Sequence, residues 1–447
     1  MPSSLRRGFH GLAVAGALML SACGGVGDGI EPVTSALLPL GGIEGAASTK
    51  AYTCLNTSVQ LVVTFSNGAR GDFSSRAVWS SSNPAVAKVS NADLPVPGQE
   101  GSFYGYGVVV PAAPGTTTIT AKYLDFNSSI QVVVADPTNV RIIPAEADVA
   151  VGALSDLALS ADLDGITSAV DALATWSFVT ANDAVATIAS TTGLITGVAE
   201  GGPLSAKASI PGCTAAAFNN VTAPVNVSPL NSLTLTKEFT DRSQLLVGTT
   251  ERITATGTLV NGKTQDLSGQ VTFTSSDSAS LLFLTGSLRN LAFAAKAATS
   301  PVQLKASYSY TISDGDSTTT DPTSTPVDSN ELPITPVDGT LTKVTVSPVT
   351  SDIAPGATLA LKATGEYTTT ATIPTQDITR HVTWTSADTS LVTVQNNGGV
   401  VNPLAGVAQA SSTAEAGKTV VITAANTNAT TQTSATSTLT IQPATSP

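Results

Sequence analysis

The stretch VTWTSADTSLVTVQ, Val382 to Gln395, puts a tryptophan, a Ser/Thr/Asp turn and an alternating apolar segment side by side. Near-copies occur earlier, as AVWSSSNPAVAKVS from Ala77 and ATWSFVTANDAVATIA from Ala174. A plainer copy is centred on Phe273. The aromatic positions Trp79, Trp176, Phe273 and Trp384 are spaced 97, 97 and 111 residues apart. A period near 100 residues is that of a repeated domain, and strict apolar/polar alternation is that of half-buried strands.

The surrounding sequence repeats in register. Strands open three units, as NVRIIP from Asn139, SLTLTK from Ser232 and KVTVSP from Lys343. A turn follows at Val151-Gly152, Val247-Gly248 and Pro355-Gly356. Late strands close each unit: TTTITAKY from Thr116, LSAKASI from Leu204, VQLKASYSY from Val302 and TVVITAAN from Thr419. Short alternating strands with turns every 8–12 residues are the sequence form of a β-sandwich. The fold class expected is all-β, with four β-sandwiches in tandem. A large aromatic at one strand position of each sandwich is read as core filling between the sheets.

Composition agrees. Of 447 residues, 42 % are hydrophobic, 5 % aromatic and only 12 % charged, about half the usual charged share of ~25 %. Thr and Val favour strands, and cores so poor in aromatics must be built from Val, Leu, Ile and Ala. The net charge is −12, and no Lys/Arg cluster breaks the acidic balance. Nucleic-acid binding, which needs a basic footprint, is disfavoured.

The first residues, MPSSLRRGFHGLAVAGALMLSACG, combine a basic start (Arg6, Arg7) with an apolar run from Gly8 to Leu20. The run is short for a membrane span of about 20 residues and suits a signal peptide. Leu20-Ser21-Ala22-Cys23 resembles a bacterial lipobox. The resemblance implies cleavage before Cys23 and acylation of its thiol, so that the chain meets the membrane through lipidated Cys23. By similarity to enterobacterial lipoproteins, Gly24 after the cysteine implies the outer membrane. Residues 1–22 are thus the expected signal peptide and 23–49 a Gly/Pro-rich tether with one strand around Ser35–Leu40.

The repeat units themselves resemble bacterial Ig-like domains of group 2, the type found in invasin- and intimin-like surface proteins. The residues that carry this are the P…G…L.A…W.S…V.V…G.V…G…ITA order, fullest from Lys343 to Ala424. The third unit departs most, having Phe273 where the others have Trp. The expected domains are 50–136, 137–228, 229–339 and 340–447.

Chemistry has few candidates. His10 lies in the signal, and His381 is expected to face solvent or a turn. Without a second histidine, neither a Ser-His-Asp triad nor a His-rich zinc site forms. The carboxylates show no repeated pair suited to acid–base work. No catalytic residue or cofactor is expected. The acidic stretch SDGDSTTTDPTSTPVDSNE, Ser313 to Glu331, offers Asp314, Asp316, Asp321 and Asp328 as weak calcium ligands. Its spacing is not that of an EF-hand, and a solvated loop insertion is the preferred reading. Cys54 falls where other units have the turn glycine, and Cys213 sits in a late loop of the second unit. Tandem sandwiches bring those ends together, so a Cys54–Cys213 disulfide is expected in an oxidising envelope. The C-terminal QTSATSTLTIQPATSP reads as a closing strand, with no catalytic domain or transmembrane anchor expected beyond it.

The function expected is that of a non-enzymatic, outer-membrane-anchored lipoprotein. It would be a semi-rigid rod for adhesion or display toward a protein or glycan ligand. The alternative is a periplasmic spacer or accessory subunit of an envelope assembly.

Overall fold

A computed structural model describes residues 30–442, except 41, 43, 219–220, 241–242, 312–324, 369–374, 397–403, 412–413 and 427–432. Cys23 and the signal segment lie outside the described residues. The described chain is built of strands and four short 3₁₀ turns. It divides into two compact units, one ending at Ser228 and the other beginning at Pro229. Each unit holds two β-sandwiches.

In the first sandwich, one sheet orders Pro32–Pro39, Thr57–Phe65, Val108–Pro111 and Ala87–Val89, with Arg70–Asp72 on its side. The facing sheet orders Ser48–Tyr52, Phe126–Ala135, Gly115–Tyr123 and Val78–Ser81. Ser48–Tyr52 runs parallel to its neighbour, and the other pairs of that sheet are antiparallel. Alternation points Thr117, Ile119 and Ala121 inward along one strand. Ile119 and Ala121 meet Leu61 and Val63 from the opposite sheet in one apolar core.

This topology corrects the expected tether. Pro32–Pro39 pairs antiparallel with Thr57–Phe65, Leu37 opposite Leu61, and Leu37 is buried in the core. It occupies the place that Thr138–Ile143, Leu230–Lys237 and Thr340–Ser347 hold in the later sandwiches. The first sandwich therefore begins at Pro32, because an inward Leu37 completes its core. The others span 138–228, 230–337 and 340–441.

Trp79, Trp176 and Trp384 are 2–3 % exposed. Each indole comes from one sheet and rests on a glycine tied to the other. Gly107, Gly193 and Gly406 have φ of 73°, 72° and 82°, and their carbonyls accept from Val59, Leu157 and Leu361 N–H. A Cβ on Gly406 would stand 2.6 Å from Leu361 O and 3.1 Å from Trp384 Cζ2. Trp79 and Trp384 donate Nε1–H to Ser74 O at 2.9 Å and Thr379 O at 2.8 Å. Trp176 Nε1 has no partner among the described residues.

Phe273 is a correction. It is only partly buried and stacks on Phe283 at 4.6 Å between ring centroids. In this sandwich Asn290 supplies the carbonyl that glycine supplies elsewhere, accepting from Ile253 N–H at 2.8 Å. Tryptophan and the left-handed glycine are thus replaced together.

A second device repeats beside the aromatic. In Asp72-Phe-Ser74, Asp266-Leu-Ser268 and Asp377-Ile-Thr379 the carboxylate accepts the N–H two residues on. The Ser/Thr hydroxyl then accepts a strand N–H, from Leu61, Ala255 and Ala363. These carboxylates close turns.

Gly406→Ala should destabilise the fourth sandwich by about 2–4 kcal/mol, adding left-handed strain and overpacking. Trp384→Ala should cost about 3–5 kcal/mol, and Phe273→Ala clearly less. Denaturant unfolding of the three variants checks this ranking, and an equal loss for Phe273→Ala would contradict the burial difference.

Candidate functional site: the interdomain junctions

No constellation of catalytic side chains is assembled among the described residues. The chemistry-bearing groups gather where the two sandwiches of a unit meet. In the first and third sandwiches the same turn reaches the next domain.

That turn holds Cys54 in the first sandwich. Its equivalents are Gly152, Gly248 and Gly356, with φ of 78°, 85° and 76°. Their N–H groups bond to Gly197, Ala294 and Ser411 O, as Cys54 N–H bonds to Pro111 O. Cys54 holds φ 65°, a left-handed conformation that costs an L-residue about 1–2 kcal/mol. It is bonded to Cys213 with Cα atoms 5.3 Å apart and 159 residues between them in sequence. A cysteine replaces the conformationally cheaper glycine where it cross-links two domains.

Polar contacts lie nearby. Asp164, at the tip of the Ala158–Leu163/Ile166–Ala169 hairpin, meets Lys50 Nζ at 2.8 Å. Both side chains are half-exposed, so solvent screens this pair and it adds little to stability. Hydrogen bonds from Lys50 and then Tyr52 hold Asp164 below the usual carboxylate range. Burial, then Asp164, pushes Tyr52 up to about 12.

A cavity of about 510 Å³ opens beside the disulfide, lined by Lys88, Gln99, Tyr104, Leu173 and Pro211 among others. One wall is an ordered loop, 90–107, where the second sandwich has only 189–193. Val96 N–H bonds to Ser102 O and Tyr104 N–H to Leu94 O. Asn56 Nδ2 donates to the Tyr104 hydroxyl at 2.8 Å. Phe103 and Tyr106 stay 58 % and 41 % exposed. Sequence reading passed over this loop, although three aromatics in four residues of an aromatic-poor chain were its signal.

The junction of the third and fourth sandwiches is made by hydrogen bonds. Leu246 N–H donates to Gln376 Oε1 at 3.2 Å. Gln376 is 2 % exposed, and its Nε2 has no partner among the described residues. His381 Nε2 lies 3.1 Å from Thr250 Oγ1, and its ring stacks on Phe293 at 6.3 Å. The expectation that His381 faces solvent or a turn is therefore corrected. It is an interdomain contact, drawn in because Thr250 and Phe293 approach from the other domain. Burial, then the Arg380 charge, lowers its pKa to about 4, with Asp377 opposing.

The calcium candidates separate. Asp314, Asp316 and Asp321 lie outside the described residues. Asp328 is not in a loop: it ends the short strand Val327–Asp328, paired opposite Ser307. Among the described residues no group of three or more His, Cys, Asp or Glu is placed to hold a metal ion, and no helix is long and apolar enough to cross a membrane.

No protein-family model matches the chain. It is similar to Ice-binding protein 1 of Shewanella frigidimarina (strain NCIMB 400), 27 % identical over 344 residues. That match covers 75 % of this chain and 33 % of the relative, so the chain spans about a third of that protein's length. Among solved structures it aligns with surface layer protein SbsC, domains 4–9, at 16 % identity and TM-score 0.24, over 92 % of this chain and 66 % of that one. It also aligns with invasin, a bacterial integrin-binding protein, at 12 % identity and TM-score 0.16, over 91 % and 79 %.

Two outcomes follow from the junctions. Cys213→Ser leaves Cys54 strained with no bond in return and should destabilise its unit by about 2–4 kcal/mol. Adding Cys54→Gly should restore about 1 kcal/mol. Unfolding midpoints under non-reducing conditions test both, and a midpoint unmoved by Cys213→Ser would contradict the role.

The His381 imidazole has a folded value near 4 against ~6.5 when unfolded. Between these the unfolded state binds more protons, so stability falls as pH drops from about 6.5 toward 4. The loss should approach about 2–3 kcal/mol. His381→Gln should flatten that part of the stability–pH curve, and an unchanged slope would contradict the assignment.

Proposed function

We propose that the chain is a non-enzymatic lipoprotein of the bacterial cell envelope, acylated at Cys23 and anchored in the outer membrane. Its domains, read as group 2 bacterial Ig-like repeats, present a protein- or glycan-binding surface for adhesion or display. The observation that carries this reading is the bonding of each sandwich pair. A covalent cross-link secures one pair, while buried Gln376 and half-buried His381 join the other. Such bonding suits a protein that holds a surface at a distance. A disulfide belongs to an oxidising compartment, which fits an exported chain. The similarity to Ice-binding protein 1 supports a non-catalytic role, and ice binding is not transferred from a match to a third of that protein.

Radiolabelled palmitate should enter the wild type and not Cys23→Ser, and equal labelling would remove the lipid anchor. Protease shaving of intact cells, with a periplasmic protein as control, then separates the two placements. Digestion while the control survives supports adhesion or display. Protection until the outer membrane is permeabilised supports a periplasmic spacer or accessory subunit instead.

A further inference from the structure

The junction of the third and fourth sandwiches forms a cavity of about 250 Å³ that is open to solvent. Arg252 lines it from the third sandwich, and Lys362, Arg380 and His381 from the fourth. Two carboxylates also face it, and both are engaged. Glu238 lies 4.0 Å from Arg252 and Asp377 lies 3.5 Å from Lys362. The other Asp377 oxygen accepts Thr379 N–H at 2.9 Å. Arg380 is left over: it forms no ion pair or hydrogen bond with a described residue.

An arginine half-withdrawn from water beside another arginine is an uncompensated arrangement. Burial and then the Arg252 charge both work against the Arg380 cation, while Asp377 and Glu238 favour it from longer range. In a chain of net charge −12, this lining carries a surplus of positive charge. Guanidinium forks match the paired oxygens of a tetrahedral anion. The Thr250 and Thr379 hydroxyls, also in the lining, add short polar contacts.

We propose that this cavity, lined by Arg252, Arg380 and Lys362, is a binding site for a small oxyanion of the sulfate or phosphate class. An anion there joins the two sandwiches, since Arg252 belongs to one and Arg380 to the other. The site stands on this geometry and is independent of the anchoring and placement proposed above.

The test is isothermal titration of the full chain with sodium sulfate at pH 7 in a low-salt buffer, with inorganic phosphate as competitor. Saturable sulfate binding displaced by phosphate is expected. Arg380→Gln and Arg252→Gln should each weaken it at least tenfold. Lys305→Gln, which removes a cation paired with Glu331 outside the cavity lining, should leave it unchanged. Absence of saturable binding, or equal affinity in a natively folded Arg380→Gln protein, would overturn the site. If Arg380→Gln unfolds, Arg380→Lys decides, since it keeps the charge without the fork. Weaker binding with native circular dichroism then supports the site, and unchanged binding overturns it.

Discussion

The contact between a buried indole and a left-handed glycine governs three of the four sandwiches. The indole enters from one sheet, and the glycine carbonyl accepts an N–H from the other, so the pair sets how closely the layers approach. A side chain at the glycine would meet both the opposite backbone and the ring. Close packing of such interiors leaves no slack to absorb it. The third sandwich drops both members together, putting Phe273 on Phe283 and Asn290 at the carbonyl position. The two residues are one constraint, which is why they change as one.

A second economy lies in the turn after the second strand of each sandwich. In its plain form it is a glycine with positive φ. At the end of the first sandwich it becomes Cys54 and a covalent bond, and in the third its flanks, Leu246 and Thr250, reach Gln376 and His381. One backbone shape thus serves two kinds of junction. The covalent one is indifferent to pH, whereas the other depends on an imidazole that must stay neutral. Exposed ion pairs such as Lys50–Asp164 contribute little beside either.

Much of the fold was legible because strand alternation has period two and the aromatics mark the same position in each repeat. The opening strand of the first sandwich was harder to place, since PVTSALLP is flanked by Gly and Pro like a linker. Its membership depends on Leu37 facing Leu61, a partner 24 residues away. The equivalence of Cys54 to the turn glycines was visible in the alignment of repeats. The roles of Gly107, Gly193 and Gly406 were not, because nothing in a glycine's neighbours names the ring it will touch. His381 read as a solvent or turn residue because its partner, Thr250, lies 131 positions upstream in another domain.

The sequence by itself determined the all-β class, the repeat and the inward face of each strand, because these follow from local patterns of apolar and β-branched residues. Only the tertiary structure decided which polar groups are buried and which charges are left unpaired. Burial and pairing depend on atoms that distant segments bring together, and no local pattern encodes those distances.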